Sequence, residues 1–496
     1  MKRYNILFGG KAGQGPNLIT NLIGGALIKR GYYVFYARDY QSLIRGGHNF
    51  NVLTFSNEPV YSNDSKLDVI ICMDEETEKI HQKDLKKDGF ILKGSSDNMY
   101  YAGRIFKMLG MDLKELENAL KELKNFENNM QAAKKGYEEE KNTLCETISS
   151  KKKLYFGSGT ENIAIGAIDS GLDFYCAYPM TPSTPLLGEL AGRQIEENFI
   201  VLELDSEISV IGAAIGTAIT GAKAMVGTSG GGYDLMTEFV SMAGMAEIPL
   251  VIYLAQRPGP STGLPTYTAQ GDLNLARHSG HGEFIRTVFA PGDINECQEL
   301  ASQAFYFSQK YKIPSIVLND KHLAESFYTS TEVPKLIHSE KTTFLRKYNS
   351  YEHGEDGIVT EDSEVVNQNV KKRFAKQEEI KKDAKKFTRY KILGDKDSSN
   401  MIVSWGSTKG AILDAMKDFE VQFLQIIYMD PFPEEIEEII DGKNLILIEN
   451  NATGQLGSLI REKTGVLISE RNKILRYDGR PFLADELRGE IKRRLR

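Results

Sequence analysis

The segment from Leu154 to Ala255 repeats one pattern: a short apolar run, a turn rich in glycine or proline, then a helical stretch. Strands are read at 175–178, 199–203, 223–228 and 249–255, with helices at 162–170, 207–220 and 235–246. Strands that alternate with helices are joined by crossovers, and a crossover leaves successive strands parallel. The pattern therefore predicts an α/β fold with a doubly wound parallel sheet covered by helices.

The flanking sequence extends this reading. Residues 5–8 form a short apolar strand, followed by the turn Gly9–Gly15, a helix at 17–30 and a second strand at 32–36, which together read as a βαβ unit. A further buried strand is read at 67–72, and the charged run at 112–150 as a solvated helix and connector. Residues 332–396 are polar and lysine-rich, an extended arm with a helix, and a last βα unit begins at 401 with strands at 423–428 and 444–449. The expected divisions are 1–150, 151–330, a charged linker at 331–397, and 398–496. At about 100–200 residues per domain, three cores fit the length.

Composition narrows the function. The 61 basic and 68 acidic residues give a net charge of -7, the wrong sign for a nucleic-acid binder. The 4 cysteines, Cys72, Cys145, Cys176 and Cys297, include no CxxC pair. An iron–sulfur cluster or thiolate zinc site on this chain is therefore not expected, and sparse cysteine suits a reducing cytoplasm. The least polar long stretch, 210–232, contains Lys223 and many glycines and reads as a soluble core rather than a membrane span.

Three glycine-rich turns follow strands: Gly9–Gly15, Ser229–Gly232 and Gly406–Thr408. Free N–H groups at such turns suit phosphate or carboxylate, although any α/β protein needs glycine at tight turns. The first turn lacks the third glycine of a dinucleotide fingerprint, since Leu18 stands there, and no Gly-Lys-Ser/Thr follows it. In Tyr178–Pro185, three prolines fix the backbone directly after a strand, where Thr181 presents a hydroxyl. Glu207 opens a glycine- and alanine-rich helix, and Arg257 precedes a Pro-Gly-Pro loop suited to holding a guanidinium for carboxylate recognition. No HExxH occurs, and the spacing of His278 and His281 does not suggest a metal site.

Together these residues resemble the alpha subunit of 2-oxoacid:ferredoxin oxidoreductases, in the form with a gamma-type domain fused in front. Tyr178–Pro182 is similar to the family's Tyr-Pro-Ile-Thr-Pro, 207–216 to its acidic helix, and 228–236 to its Thr-Ser-Gly-Pro-Gly-x-x-Leu-Met segment. Residues 246–249, 257–266 and 270–273 continue the match. Gly13-Gln14-Gly15 and Arg45-Gly46-Gly47 look like the gamma domain's motifs, while Gly406–Thr408, Asp430–Pro433, Glu449–Asn451 and Gly454–Leu456 resemble a transketolase-C-terminal-like domain. Departures are Gly231 in place of proline, Asp234 in place of a small hydroxyl residue, and Ala12 in place of glycine.

The resemblance implies a gamma-type α/β domain, a thiamine-diphosphate pyrimidine-type doubly wound domain and a transketolase-C-terminal-like domain. It implies coenzyme A-dependent oxidative decarboxylation of a 2-oxoacid to acyl-CoA and carbon dioxide, with electrons passed to ferredoxin. Glu207 would hydrogen-bond the aminopyrimidine N1′ of thiamine diphosphate, and Thr181 and Arg257 would bind the substrate. Tyr178, Pro179, Thr228, Ser229 and Gly230 would line the cofactor, and Gly13, Gln14, Gly15, Arg45 and Gly46 would serve coenzyme A. No Gly-Asp-Gly magnesium–diphosphate motif occurs. A beta-type partner would therefore carry the Mg2+ site and the 4Fe-4S cluster, in a hetero-oligomer such as (αβ)2. A non-redox thiamine-dependent decarboxylase or transketolase-like subunit, and a non-catalytic nucleotide- or coenzyme A-binding module, remain open alternatives, and the 2-oxoacid itself is not specified.

Overall fold

The computed structural model describes residues 2–41, 47–147, 150, 152–342 and 349–495. It divides into two compact units. The first comprises Met1–Gly157 with Ser326–Thr331 and Leu483–Arg488, and the second comprises Ser158–Glu325, Glu332–Phe482 and Gly489–Arg496. No helix of the described residues is long and apolar enough to cross a membrane.

The first unit is built on a seven-stranded sheet in the order Leu85–Leu92, Leu67–Cys72, Tyr4–Lys11, His48–Ser56, Tyr33–Tyr40, Phe327–Ser330, Tyr155–Ser158. The expected βαβ unit is modified here. Tyr4–Lys11 and Tyr33–Tyr40 run parallel, but His48–Ser56 lies between them and is antiparallel to both. That strand, NFNVLTFS after His48, mixes polar and apolar residues and gave no clear run in the sequence.

The charged run also behaves differently from a solvated connector. Helix Leu113–Leu120 opens on a capping box between Asp112 and Glu115, and Phe126–Glu139 packs on Asn98–Met108. The two latter helices touch backbone to backbone. A Cβ at Gly103 would lie 1.8 Å from the Ala133 carbonyl oxygen, and one at Gly136 would lie 1.9 Å from that of Tyr100. Charge on the outer face hid this inner seam of small residues.

The second unit holds two sheets. One has the order Tyr428–Asp430, Thr287–Phe289, Pro314–Asp320, Leu250–Gln256, Ala224–Thr228, Phe174–Ala177, Ile200–Glu203. All neighbours are parallel except Tyr428–Asp430, which pairs antiparallel with Thr287–Phe289. The strands Leu250–Gln256 and Pro314–Asp320 are buried along their whole length, as expected of a sheet covered on both faces. The last sheet orders Tyr390–Gly394, Gln422–Ile426, Asn400–Ser404, Asn444–Glu449 and Lys473–Leu475. Tyr390–Gly394, within the stretch read as linker, is its antiparallel edge. Between the two sheets, Lys409 Nζ bonds Glu296 Oε1 at 2.6 Å and also pairs with Asp293. Lys391 reaches the same Glu296 oxygen at 2.7 Å.

Two outcomes test this packing. Alanine is favoured over glycine in a helix by about 1 kcal/mol, so an unconstrained Gly103→Ala would stabilise. The backbone crossing reverses the sign, and thermal unfolding should show a net loss of about 1–3 kcal/mol. Lys409→Met removes one of the two lysines that reach buried Glu296 and leaves it with Lys391, and denaturant unfolding should report a loss of about 1–3 kcal/mol.

Candidate functional site

The strand order of the doubly wound sheet places its reversal of winding between Phe174–Ala177 and Ala224–Thr228. Ligands of open α/β sheets bind beyond the carboxyl ends of strands at such a switch point. Tyr178–Pro185 follows the first of these strands and Ser229–Gly232 follows the second. Glu207 opens the helix between them, and Arg257 follows the next strand, Leu250–Gln256.

Glu207 is the first residue of helix Glu207–Ile219, whose N-cap Ser206 accepts the Ser209 N–H at 3.2 Å. The cap is thus provided by Ser206, and Glu207 is not needed for it. Its side chain is 5% exposed and turned toward the neighbouring helix Gly230–Met245. A Cβ at Gly232 would lie 2.8 Å from Glu207 Oε1 and 2.2 Å from Thr228 Oγ1, so the carboxylate and the hydroxyl occupy the room that a larger residue would take. The carboxylate receives no hydrogen bond from the described residues. A buried carboxylate in this position is suited to a donor from outside the chain.

The second glycine turn proves to be helix. Gly230, Gly231 and Gly232 form the first turn of Gly230–Met245, and the first intrahelical bond runs from Tyr233 N–H to the Ser229 carbonyl at 2.8 Å. The three glycine N–H groups therefore lack intrahelical partners. Ser229 stands at the N-cap, yet its hydroxyl caps nothing and is buried without a partner. The Gly231 departure lies open, with no atom closer to a Cβ there than the Ser261 carbonyl oxygen at 3.9 Å, and Asp234 is exposed.

Arg257 sits in a loop closed by the bond from Leu264 N–H to the Pro258 carbonyl at 3.1 Å. One N–H of its guanidinium, Nη1, donates to the Thr181 carbonyl at 2.7 Å. Of the expected pair, Thr181 thus uses its backbone to tie the two loops together, and the remaining guanidinium donors stay available. Burial lowers the Arg257 pKa from its ordinary value, and the charge of Asp272 acts against that. Tyr178 is 40% exposed and stands with Pro179 at the rim.

Asp272 was not foreseen from the sequence. Its backbone N–H donates to Gln256 Oε1 at 2.9 Å, and its carboxylate lies over Gly230, where a Cβ would be 2.6 Å from Oδ2. Burial and the charge of Asp234 push its pKa up to about 6. In the sequence it was visible only as part of Gln270–Leu273.

The other two glycine turns differ from each other. At Gly406, the Ser407 N–H already donates to buried Asp320 Oδ2 at 3.3 Å, and a Cβ on Gly406 would lie 2.5 Å from Gln270 Nε2. That turn is filled from within the chain and is structural. At the first turn, Gln14 Oε1 accepts the Lys11 N–H at 2.6 Å, and Gln14 Nε2 donates to the Met73 carbonyl at 2.9 Å. Gln14 therefore braces the turn. Gly13 faces open space, whereas Gly15 is covered by Asn98. Arg45 and Gly46 lie outside the described residues. Among the described residues no group of three or more potential ligands could hold a metal.

The family model described as "Pyruvate flavodoxin/ferredoxin oxidoreductase, thiamine diP-bdg" matches residues 165–391. "Pyruvate ferredoxin/flavodoxin oxidoreductase" matches residues 5–97. The chain is 30% identical to a 2-oxoacid:ferredoxin oxidoreductase subunit alpha of Sulfolobus sp, covering 98% of this chain and 96% of that protein. It is equally similar, over the same shares, to 2-oxoacid:ferredoxin oxidoreductase 1, subunit alpha, of Sulfurisphaera tokodaii. A solved 2-oxoglutarate:ferredoxin oxidoreductase from Magnetococcus marinus, with 2-oxoglutarate, coenzyme A and succinyl-CoA bound, superposes with a TM-score of 0.89 over 100% of both chains at 23% identity.

Gly232→Ala tests the local geometry. It should displace Glu207 and Thr228 and lower stability by about 1–3 kcal/mol in thermal unfolding, whereas Gly188→Ala, with open space at its Cβ, should leave stability unchanged or raised.

Proposed function

Because the chain belongs to the alpha subunits of 2-oxoacid:ferredoxin oxidoreductases, we propose that it provides the pyrimidine-side half of a thiamine-diphosphate site. A beta-type partner provides the Mg2+–diphosphate half and a 4Fe-4S cluster. The assembled enzyme, a hetero-oligomer in the cytoplasm, converts a 2-oxoacid and coenzyme A to acyl-CoA and carbon dioxide and passes the electrons to ferredoxin.

The observation that carries this reading is Glu207: a buried carboxylate without a donor from the described chain, held against Gly232 at the switch point. The buried Ser229 hydroxyl, which has no partner and follows Thr228 in the chain, supports a further polar contact from the ligand. When bound, thiamine diphosphate supplies the carbanion chemistry of decarboxylation. Glu207 accepts a hydrogen bond from the aminopyrimidine N1′, so that this atom holds a proton. Gly230, Gly231 and Gly232 offer N–H groups, and Thr228 and Ser229 shape the floor. Arg257, anchored through Nη1 to Thr181, directs its remaining N–H groups to the substrate's carboxylate.

The surface near Glu207 supports a partner subunit. Ile208, Leu235, Leu202 and Tyr178 expose 51%, 54%, 42% and 40% of their surface, which is costly for large apolar groups that remain in water. Gly13, Gln14 and Gly15, with Arg45 and Gly46, are assigned to coenzyme A, the ligand of the Magnetococcus marinus counterpart; Gln14 acts there by bracing the turn.

Three measurements test the reading. The purified chain alone should be colourless and inactive, and co-expression with a beta-type partner should give a brown complex that reduces viologen with a 2-oxoacid and coenzyme A. Stoichiometric iron in the isolated chain would contradict the division of labour. Glu207→Gln should keep the melting temperature and lose roughly 10²–10⁴-fold in kcat within the complex. Arg257→Lys should lower kcat/KM for every accepted 2-oxoacid by roughly 10–150-fold and leave the KM for coenzyme A unchanged.

A further inference from the structure

Asp272 is a carboxylate at the switch point to which the proposed chemistry gives no task. Its Oδ2 is buried and has no hydrogen-bond partner. Burying such a group carries a cost, and a neutral residue of the same size would avoid it. The carboxylate is nevertheless fixed in place. The Asp272 N–H is held by Gln256 Oε1 at 2.9 Å, Gln256 Nε2 is held by the Asn319 carbonyl at 3.0 Å, and the absence of a side chain at Gly230 leaves room for the oxygens. Gln256 is the residue before Arg257, so the same amide that places Asp272 also fixes the base of the arginine loop.

We infer that Asp272 is a positioning and specificity residue of the 2-oxoacid site, setting the charge against which a substrate carboxylate competes at Arg257. This rests on the reading of Arg257 given above. Asp272 faces two charged groups, Arg257 from the loop after Leu250–Gln256 and Asp234 from helix Gly230–Met245. No salt bridge closes between Asp272 and Arg257. Its charge therefore weakens the field of the arginine without occupying its remaining N–H groups. Asp234 adds to that negative charge. Ionised Asp272 repels an incoming carboxylate, and protonated Asp272 does not.

The sign of the pH dependence follows. The substrate's carboxylate and Arg257 keep their charges between about pH 5 and pH 8. Asp272 holds its proton more readily than an ordinary aspartate, up to about pH 6. Binding an anion beside it raises its proton affinity further, so binding takes up a proton. Substrate therefore binds more tightly as pH falls through that range.

The test uses the co-expressed complex and Asp272→Asn. At pH 8 the variant should lower KM for 2-oxoacids by about 3–10-fold, with the KM for coenzyme A unchanged. The wild-type KM should rise from about pH 5.5 to 8, and that of the variant should stay level. Calorimetry with oxamate in two buffers of different ionisation enthalpy reads the same linkage without turnover. Proton uptake should appear in the wild type and vanish in the variant. An unchanged KM–pH profile and equal proton uptake would overturn the inference. Should Asp272→Asn not fold, Gly230→Ala, whose Cβ displaces the carboxylate, should reproduce the loss of proton uptake, and a wild-type uptake there would overturn the inference equally. Absence of turnover with any 2-oxoacid would instead refute the assigned reaction, leaving the oxamate titration to decide on Asp272.

Discussion

Two buried glutamine amides, Gln256 and Gln270, hold the loops on which the rest of the site depends. Gln256 accepts the Asp272 N–H and donates to the Asn319 carbonyl. Gln270 accepts the Asn450 N–H through Oε1 at 2.8 Å and donates through Nε2 to the Trp405 carbonyl at 2.8 Å. Both side chains are 0% exposed, so every amide group must find a partner inside the protein. The loop from Arg257 to Asp272 is irregular and includes two positive-φ positions, Ser261 and Gly263. Regular hydrogen bonding does not fix it. The glutamines fix both its ends instead, one to the doubly wound sheet and one to the C-terminal sheet.

Charge reinforces the same junction. Glu296 is 2% exposed and receives Lys409, Lys391, Gln425 Nε2 and the Gly292 N–H. The lysines hold its carboxyl far below the ordinary range, at about 2, against the opposing effect of burial. Such a network is not automatically a source of stability, because desolvation offsets much of the attraction. It ties the two sheets together, because Glu296 and Gly292 belong to one layer and Lys409, Lys391 and Gln425 to the other. The Gly406 turn fits the same logic, with Asp320 taking the N–H that a ligand would otherwise take.

Small residues do the complementary work of allowing close approach. Gly103 and Gly136 let two helices cross with their backbones in contact, and Gly232 makes room for Glu207 and Thr228. In each case the missing side chain is replaced by a group from another element, and the identity of that group decides whether the glycine serves packing or the site. At Gly230 what fills the space is the carboxylate of Asp272.

The sequence by itself determined the alternation of strands and helices, and hence the parallel sheet. Apolar runs and glycine turns record burial and backbone conformation locally. It also placed Glu207, Thr181 and Arg257 at strand ends, and the structure brings Thr181 and Arg257 into contact, though through the Thr181 carbonyl rather than its hydroxyl. Other features depended on partners distant in the chain. The insertion of His48–Ser56 between two strands depends on pairing with both neighbours, and the packed face of 126–139 depends on a helix whose glycine it meets. Whether a glycine turn is open or filled depends on a residue such as Asp320, far away in sequence. Asp272 comes to lie over Gly230 and within the field of Arg257 only through folding. A carboxylate's environment is a property of the neighbours that surround it, and the tertiary structure alone supplies them.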